Sequence, residues 1–444
     1  MIARAQTRVA AKWHGALREV RAVAAAEIWG RLLYASTNLV SEKRRVAHAL
    51  VACRRTTSAS AQRRLARLLA PYFSGGKTDF CRSQQIGWKR YYDQFNLKSP
   101  ELTSSLLLKA PGPNGEKGVL YAPYEYNPMR IVAHSDARQF LNEYLLIGAS
   151  SWSPTDFAVL AAFAGLSPDP VFMGISHETD TQAYSIAAPA IRPLPILASD
   201  WIDPSGYSPR PHAQREIDFL MVANFSRFKR HWLLFQALRR MAPQLRVAIL
   251  GIAIPERSAE TLRAEARAFG VRQHLEIHTN LSIEEVARYQ CNSRVSLIFS
   301  RREGACVATA ESLFAGSPVG MMRDAHIGSK AYINDRTGML LDYDDLPRQL
   351  EAFRERSGSF AAREWAEANI SAQQTSERLN RILKDHARAT NRPWTQDIAP
   401  MHWRYVPTYL RQGDRERLQP AVDDLAARHN VRLKVFKYDP AGVT

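Results

Sequence analysis

The stretch "VSLIFSRREGACVATAESLFAGSPVGMM" (295–322) decides how the rest of the chain is read. It opens on an apolar run, passes through a short charged turn, and continues as "ACVATAESLFA" (305–315), rich in the Ala, Leu and Glu that favour a helix. A second apolar run, "SPVGMM" (317–322), follows at once. Strand, helix and strand in such close succession predict two parallel strands joined by a crossover helix.

Working outward, the same alternation continues on both sides. "IDFLMVAN" (217–224), "LRVAILG" (245–251) and "HLEIHTN" (274–280) read as strands before it, and "GMLLD" (338–342) as one after it. "SIEEVARYQCN" opens a helix with a Ser-x-x-Glu capping box at Ser282 and Glu285. Further upstream, "SSLLLKA" (104–110), "GVLYAPY" (118–124), "YLLIGAS" (144–150), "PVFMGIS" (170–176) and "IRPLPIL" (191–197) form another strand series. Between the two series lies the proline-rich "DPSGYSPRPHAQRE" (203–216), which reads as an interdomain linker. Strands this apolar, covered on both faces, predict two doubly wound α/β domains in tandem, with ligands beyond the carboxyl ends of the strands.

The charge is unevenly placed. Residues 1–100 hold 19 Lys and Arg against five acidic residues, +14 of the chain's net +17. Residues 1–95 therefore read as a basic helical extension before an N-terminal domain (96–213), a C-terminal domain (214–384) and a tail (385–444) that crosses back to the N-terminal domain. A polyanionic surface is the partner class such a segment suits. Residues 1–70 fit an interfacial amphipathic helix on an anionic membrane, with Trp13 and Trp29 as headgroup anchors, and fit equally a helical extension packed on the next domain. Nucleic acid is not expected, since no recognition motif or interleaved stacking aromatics are present. No run approaches the roughly 18 apolar residues of a membrane span, and no signal peptide is evident. The four cysteines (Cys53, Cys81, Cys291, Cys306) lack metal or redox spacing and read as reduced cytosolic thiols, so the expected location is cytoplasmic, apposed to a membrane.

The chemistry concentrates after the strand 295–300. Glu303 stands on a carboxyl-edge loop, Gly304 lets a backbone approach a ligand, and the helix that follows offers free N–H groups suited to a diphosphate. Glu311 lies about two turns into that helix, where a carboxylate can accept from both hydroxyls of a ribose.

This stretch resembles the nucleotide-binding half of the retaining two-domain (GT-B) glycosyltransferases marked by Glu-x7-Glu, the glycosyl transferases group 1 type. Ser300, Glu303, Gly304, Glu311, Ala315, Gly316, Pro318 and Val319 fill the family's pattern, and "DRTGMLLD" (335–342) its later Thr-Gly strand. In "ANFSRFKRH" Lys229 falls on the family's lysine, while Asn224 stands where the family has arginine and Arg227 offers a nearby substitute charge. The resemblance covers about residues 215–384; before it the likeness is architectural only, with two tandem Rossmann-like domains expected. "FSGGKTD" (73–79) and "PGPNGEKG" (111–118) are stand-ins for the family's glycine loop.

The resemblance implies transfer of a sugar from a nucleotide-sugar donor to a glycan or lipid-linked acceptor, with retention of anomeric configuration and no bound metal or further cofactor. Lys229, Arg227 and the helix beginning after Gly304 would meet the diphosphate, Glu303 the donor sugar hydroxyls and Glu311 the ribose, with Asn224, Gly304 and Ala305 completing the donor-binding set. The family's N-terminal histidine has two candidates here, His177 and His134, with His177 taken as catalytic beside Glu303 and Lys229; Asp156 is a further candidate. A catalytically silent nucleotide-sugar-binding protein and a nucleotide-sugar epimerase are the alternatives.

Overall fold

The computed structural model describes residues 24–25, 27–53, 56, 58–74, 97, 99–124, 126–150, 157–404 and 406–434. They fall into two compact units, one drawn from 24–198 and 376–434, the other from 199–375.

In the first unit, helices α1 (Glu42–Cys53) and α2 (Ala59–Ser74) precede a five-stranded sheet. Its strands are β1 (Leu106–Lys109), β2 (Gly118–Tyr121), β3 (Tyr144–Ala149), β4 (Val171–Ile175) and β5 (Ile191–Leu197), paired in chain order. β1 and β2 are antiparallel and every later pair is parallel. Strands β2, β3 and β4 are buried along their whole length, as expected of a parallel sheet covered on both faces. The β1–β2 connection is "PGPNGEKG", with Asn114 and Gly115 both at positive φ (56° and 78°). That conformation suits a tight hairpin turn, so this segment is a strand connection rather than a glycine loop opening a helix. The other stand-in, 75–79, lies outside the described residues, as do Trp13, Cys81 and Asp156.

The described helices of residues 1–95 are not a separate extension. Leu65, Leu69 and Phe73 of α2, spaced every four residues, share one apolar core with Val46 and Leu50 of α1 and with Leu107, Leu120 and Leu146 of the sheet. That spacing lays one stripe along the helix. Buried Gln62 fastens the arrangement: its amide donates to Cys53 O (2.7 Å) and Thr56 O (2.8 Å) and accepts from Ala158 N (2.9 Å).

Residues 376–434 belong to the first unit. Ala399 N donates to Leu108 O (2.7 Å) and the Tyr409 hydroxyl to Leu107 O (2.6 Å). Two buried ion pairs add to this, Lys109–Glu116 and Lys117–Asp169, each at 2.7 Å. Glu116 also accepts from Thr395 N and Oγ1, and Asp169 from Arg392 (2.6 Å) and His386 (2.8 Å). Burial alone would raise both carboxyls. The cations and donors around them outweigh it, holding Glu116 at about 2 and Asp169 well below the usual carboxylate range.

The second unit holds β6 (Ile217–Val222), β7 (Val247–Gly251), β8 (Leu275–Thr279), β9 (Ser293–Ile298), β10 (Val319–Met322) and β11 (Gly338–Leu341). All pairs are parallel, in the order β11-β10-β9-β6-β7-β8. This is the dinucleotide-fold order, in which the chain reverses its direction of winding between β6 and β9. The proline-rich segment 203–216 is fastened to this unit instead of hanging free as a linker. Tyr207 stacks on Phe314 with centroids 6.3 Å apart, and the Arg215 guanidinium donates to Ser293 O, Ala315 O and Gly316 O. Among the described residues no helix is long and apolar enough to cross a membrane.

Candidate donor-binding site

In an open parallel sheet the ligand crevice opens where neighbouring strands send their connections to opposite faces. Here that point lies beyond the carboxyl ends of β6 and β9, which pair through Ile217–Ser293, Phe219–Val295 and Leu220–Ser296. The loop after β6 carries Asn224 to Arg230, and the loop after β9 carries Ser300 to Cys306. Both groups of candidate residues therefore stand at the switch point of the second unit.

After β6 the chain passes through a single 3-10 turn, Arg227–Lys229, then Arg230 at φ 57°, and enters α4 (His231–Leu238); α3 (Glu178–Ile186) lies in the first unit. Lys229 Nζ reaches Glu303 Oε2 at 2.5 Å, with both side chains nearly buried (12% and 11% exposed). Arg230 Nε donates to Phe299 O and Nη1 to the Tyr343 hydroxyl, while Nη2 lies 3.5 Å from Asp324. Two adjacent cations thus cross from one loop to the other. Glu303 is held from behind: its backbone N–H donates to His326 O (3.2 Å), and His326 N donates to Arg301 O (2.6 Å).

Helix α5 (Ile283–Cys291) carries the expected capping box, with Ser282 N donating to Glu285 Oε2 (2.8 Å) and Glu285 N to Ser282 Oγ (3.2 Å). α6 (Val307–Phe314) begins two residues later than "ACVATAESLFA" suggested, because Cys306 takes φ 46° and no side chain caps the end. Cys306 makes no side-chain cap bond there, and a helix N-terminus of this kind can receive an anion. Burial, then the nearby Glu303 carboxylate, pushes the Cys306 thiol up to about 12, so it stays protonated. Glu311 is half-buried in the middle of α6 and accepts from Gln290 Nε2 of α5 at 3.5 Å. Gly304 is buried and Ala305 half-buried.

Asn224 and Arg227 are exposed, and Asn224 Oδ1 accepts from Ser226 N (3.2 Å), closing its own loop. His177 belongs to the first unit and is the N-cap of α3: Nδ1 accepts from Thr179 N (3.2 Å), and His177 N donates to Asp180 Oδ2 (3.1 Å). His134 ends a helix and meets Leu97 O at 2.7 Å. Arg230 was not singled out in the sequence. Its signal was the second arginine in "RFKRH", but the left-handed backbone that turns it toward Phe299 leaves no mark in composition. His231, fully buried and facing Phe225 edge-on, is pushed down to about 3 by burial and then by Arg257 and Lys229. It is neutral and packs beneath the loop.

Residues 208–392 match the glycosyl transferases group 1 family. The match begins within the proline-rich segment, spans β6 to β11, and so contains both loops of the switch point. Curated protein sequences show no match to the chain. Among solved structures, Anabaena HepE in complex with UDP shares 13% identity, with 60% of this chain and 78% of that one aligned at a TM-score of 0.48. Sucrose-phosphate synthase from Thermosynechococcus elongatus shares 14% identity over 70% and 79% of the two chains, also at 0.48. The pneumococcal O-GlcNAc transferase GtfA in complex with UDP and GlcNAc shares 15% over 56% and 54%, at 0.43. Cys53, Cys291 and Cys306 are free thiols.

Proposed function

We propose that the chain transfers a sugar from a nucleotide-sugar donor to a glycan or lipid-linked acceptor with retention of anomeric configuration. One observation carries the reading. Lys229 and Glu303, 74 residues apart in sequence, form one nearly buried pair at the switch point of a dinucleotide-type sheet, inside the group 1 glycosyltransferase match. As the donor bond breaks, negative charge builds on the leaving diphosphate, and catalysis requires cations and N–H dipoles already in position. Lys229 supplies a cation and the uncapped start of α6 supplies the dipoles; no metal is invoked. Glu303, an acceptor of hydrogen bonds only, takes donor-sugar hydroxyls, and Glu311 takes the ribose diol. In this reading His177 holds α3 in place, and its ring is not given a chemical role.

Calorimetric titration of UDP, GDP and ADP into the wild type and Glu311→Ala tests the site. One nucleotide should bind, and the variant should lose about 1.5–3 kcal/mol, roughly tenfold to more than a hundredfold in affinity. Failure of all three to bind the wild type would remove the reading. Asn224 at the family's arginine position favours a second reading, a nucleotide-sugar-binding protein without turnover. Tight donor binding with neither hydrolysis nor transfer over a panel of acceptors would select it.

A further inference from the structure

Of the six large apolar side chains exposed among the described residues, four lie between residues 28 and 39: Ile28 (60%), Trp29 (50%), Leu32 (56%) and Leu39 (87%). They share the outer side of the helix spanning 27–36 and of the turn that ends it. Ala24, Ala25 and Ala35 are exposed as well, so the outward surface of this element is almost entirely apolar. A surface helix of a water-soluble unit normally shows the reverse.

The other side of the element is firmly seated. Gly30, Leu33 and Thr37 are buried, and Leu33 joins the core of the first unit. Ser36 Oγ meets His48 Nδ1 at 2.8 Å, and Thr56 Oγ1 donates to Glu27 Oε1 at 3.2 Å. Arg64 of α2 donates to the Tyr34 hydroxyl (3.1 Å) and to Asn38 Oδ1 (2.6 Å). Apart from Arg31, which pairs with Glu27 one turn back on the same helix (3.1 Å), the element's polar contacts run to the unit itself and the apolar side is held outward.

Charge identifies what would cover it. Arg31 stands on the same element with its side chain 68% exposed, and Arg63, Arg64 and Arg67 are exposed on α2, whose Arg64 touches the element directly. They belong to the first 100 residues, which hold +14 of the chain's +17. A second copy docked on this face through a twofold axis would bring two such segments together, like charge against like. An anionic bilayer offers the opposite charge for the arginines, and an acyl boundary that takes Ile, Leu and Trp side chains lying in its plane.

We infer that the 27–39 element is a membrane-docking face, which lays Ile28, Trp29, Leu32 and Leu39 into the headgroup boundary of an anionic lipid surface while Arg31 and Arg64 meet its phosphates. The inference is independent of the donor site, because it uses none of that site's residues. It places the first unit, through a helix seated on its core, directly on the surface where a lipid-linked acceptor would be found.

Vesicle flotation tests it, using the full chain with phosphatidylglycerol–phosphatidylcholine vesicles, phosphatidylcholine vesicles, and the variants Leu32→Glu and Arg31→Glu. The wild type should float with the anionic vesicles only. Raising salt from about 0.1 to about 1 M, which shortens screening from about 10 to about 3 Å, should release much of it. Leu32→Glu should lower partitioning at least tenfold, by placing a charge in the apolar boundary. Arg31→Glu should lower it by about fivefold or more. Thermal unfolding and nucleotide titration of both variants should match the wild type, which separates loss of docking from loss of fold. Equal flotation of wild type and Leu32→Glu would overturn the inference. So would a concentration-dependent dimer that Leu32→Glu dissolves without any vesicle binding, since the face would then cover a second copy.

Discussion

Lys229 and Glu303 pair in the second unit with neither side chain well solvated. A nearly buried ion pair contributes little net stability, yet removing one partner leaves the other charge uncompensated. Lys229→Ala should therefore weaken nucleotide diphosphate binding by roughly tenfold to a hundredfold, the loss of one charged hydrogen-bond partner. Binding of the nucleoside alone should change far less. Titrating UDP and uridine into wild type and variant, with UDP standing for whichever nucleotide binds, checks this; equal losses for both would show that Lys229 does not meet the phosphates. Both residues were legible in the sequence because their neighbours carry a motif. Arg230 was not, since its contact with Phe299 O depends on a backbone conformation that any arginine adopts only under constraint. His177, just past a strand, is the N-cap of α3, its Nδ1 accepting from Thr179 N.

At the scale of elements, the end of α6 shows how the site helix is held. Gly316 takes φ 68°, and a Cβ there would stand 2.8 Å from Arg215 Nη2. The same guanidinium gathers Ala315 O and Gly316 O at the helix end and Ser293 O at the start of β9. Gly316→Ala should cost at least about 1–2 kcal/mol from the left-handed backbone alone, more if Arg215 is displaced. Urea unfolding of the variant measures this, and an unchanged midpoint would show that the turn relaxes freely. Such a glycine was readable in "LFAGSPV" (313–319) only as a helix stop; its arginine partner lies 101 residues away, in a segment that read as a linker. The eleven strands of the two large sheets were readable from their apolar runs, and β1 to β11 each fall within the stretches quoted for them, give or take two residues at an end. Helix α6 started late because a positive φ at a cysteine has no local signal.

At the scale of the molecule, residues 376–434 are joined to the first unit by two buried carboxylates. Asp169 receives Lys117, Arg392 and His386, and Glu116 receives Lys109 and Thr395. Asp169→Asn should destabilise the fold by about 3–5 kcal/mol, because three cationic or donor groups lose their common acceptor. Chemical denaturation against the wild type is the check, and a loss under about 1 kcal/mol would mean that the cluster is better solvated than its burial suggests. The pH sense follows from the depressed carboxyl values. Folded Glu116 titrates at about 2 against 4.5 for the free group, so its contribution is complete above about pH 4.5 and is lost as pH falls toward 2. Asp169 acts in the same direction. Stability measured from pH 6 down to pH 2 should fall steadily over the acid part of that range, and more shallowly in Glu116→Gln.

The sequence by itself determined the class of this protein: α/β, two strand series, a glutamate-bearing loop after β9 and a basic first hundred residues. Those features are local, set by hydrophobic period and by residue types at fixed spacing, and they survive without knowledge of what packs on what. The tertiary structure decided the rest. It set the strand order that puts the loops after β6 and β9 side by side. It buried Leu65, Leu69 and Phe73 while leaving Ile28, Trp29 and Leu32 outside, and it brought Thr395 and Arg392 back to Glu116 and Asp169. Each of these joins residues far apart in the chain, and the free energy of such contacts depends on the shape and charge of the surface that meets them, which no window of sequence contains.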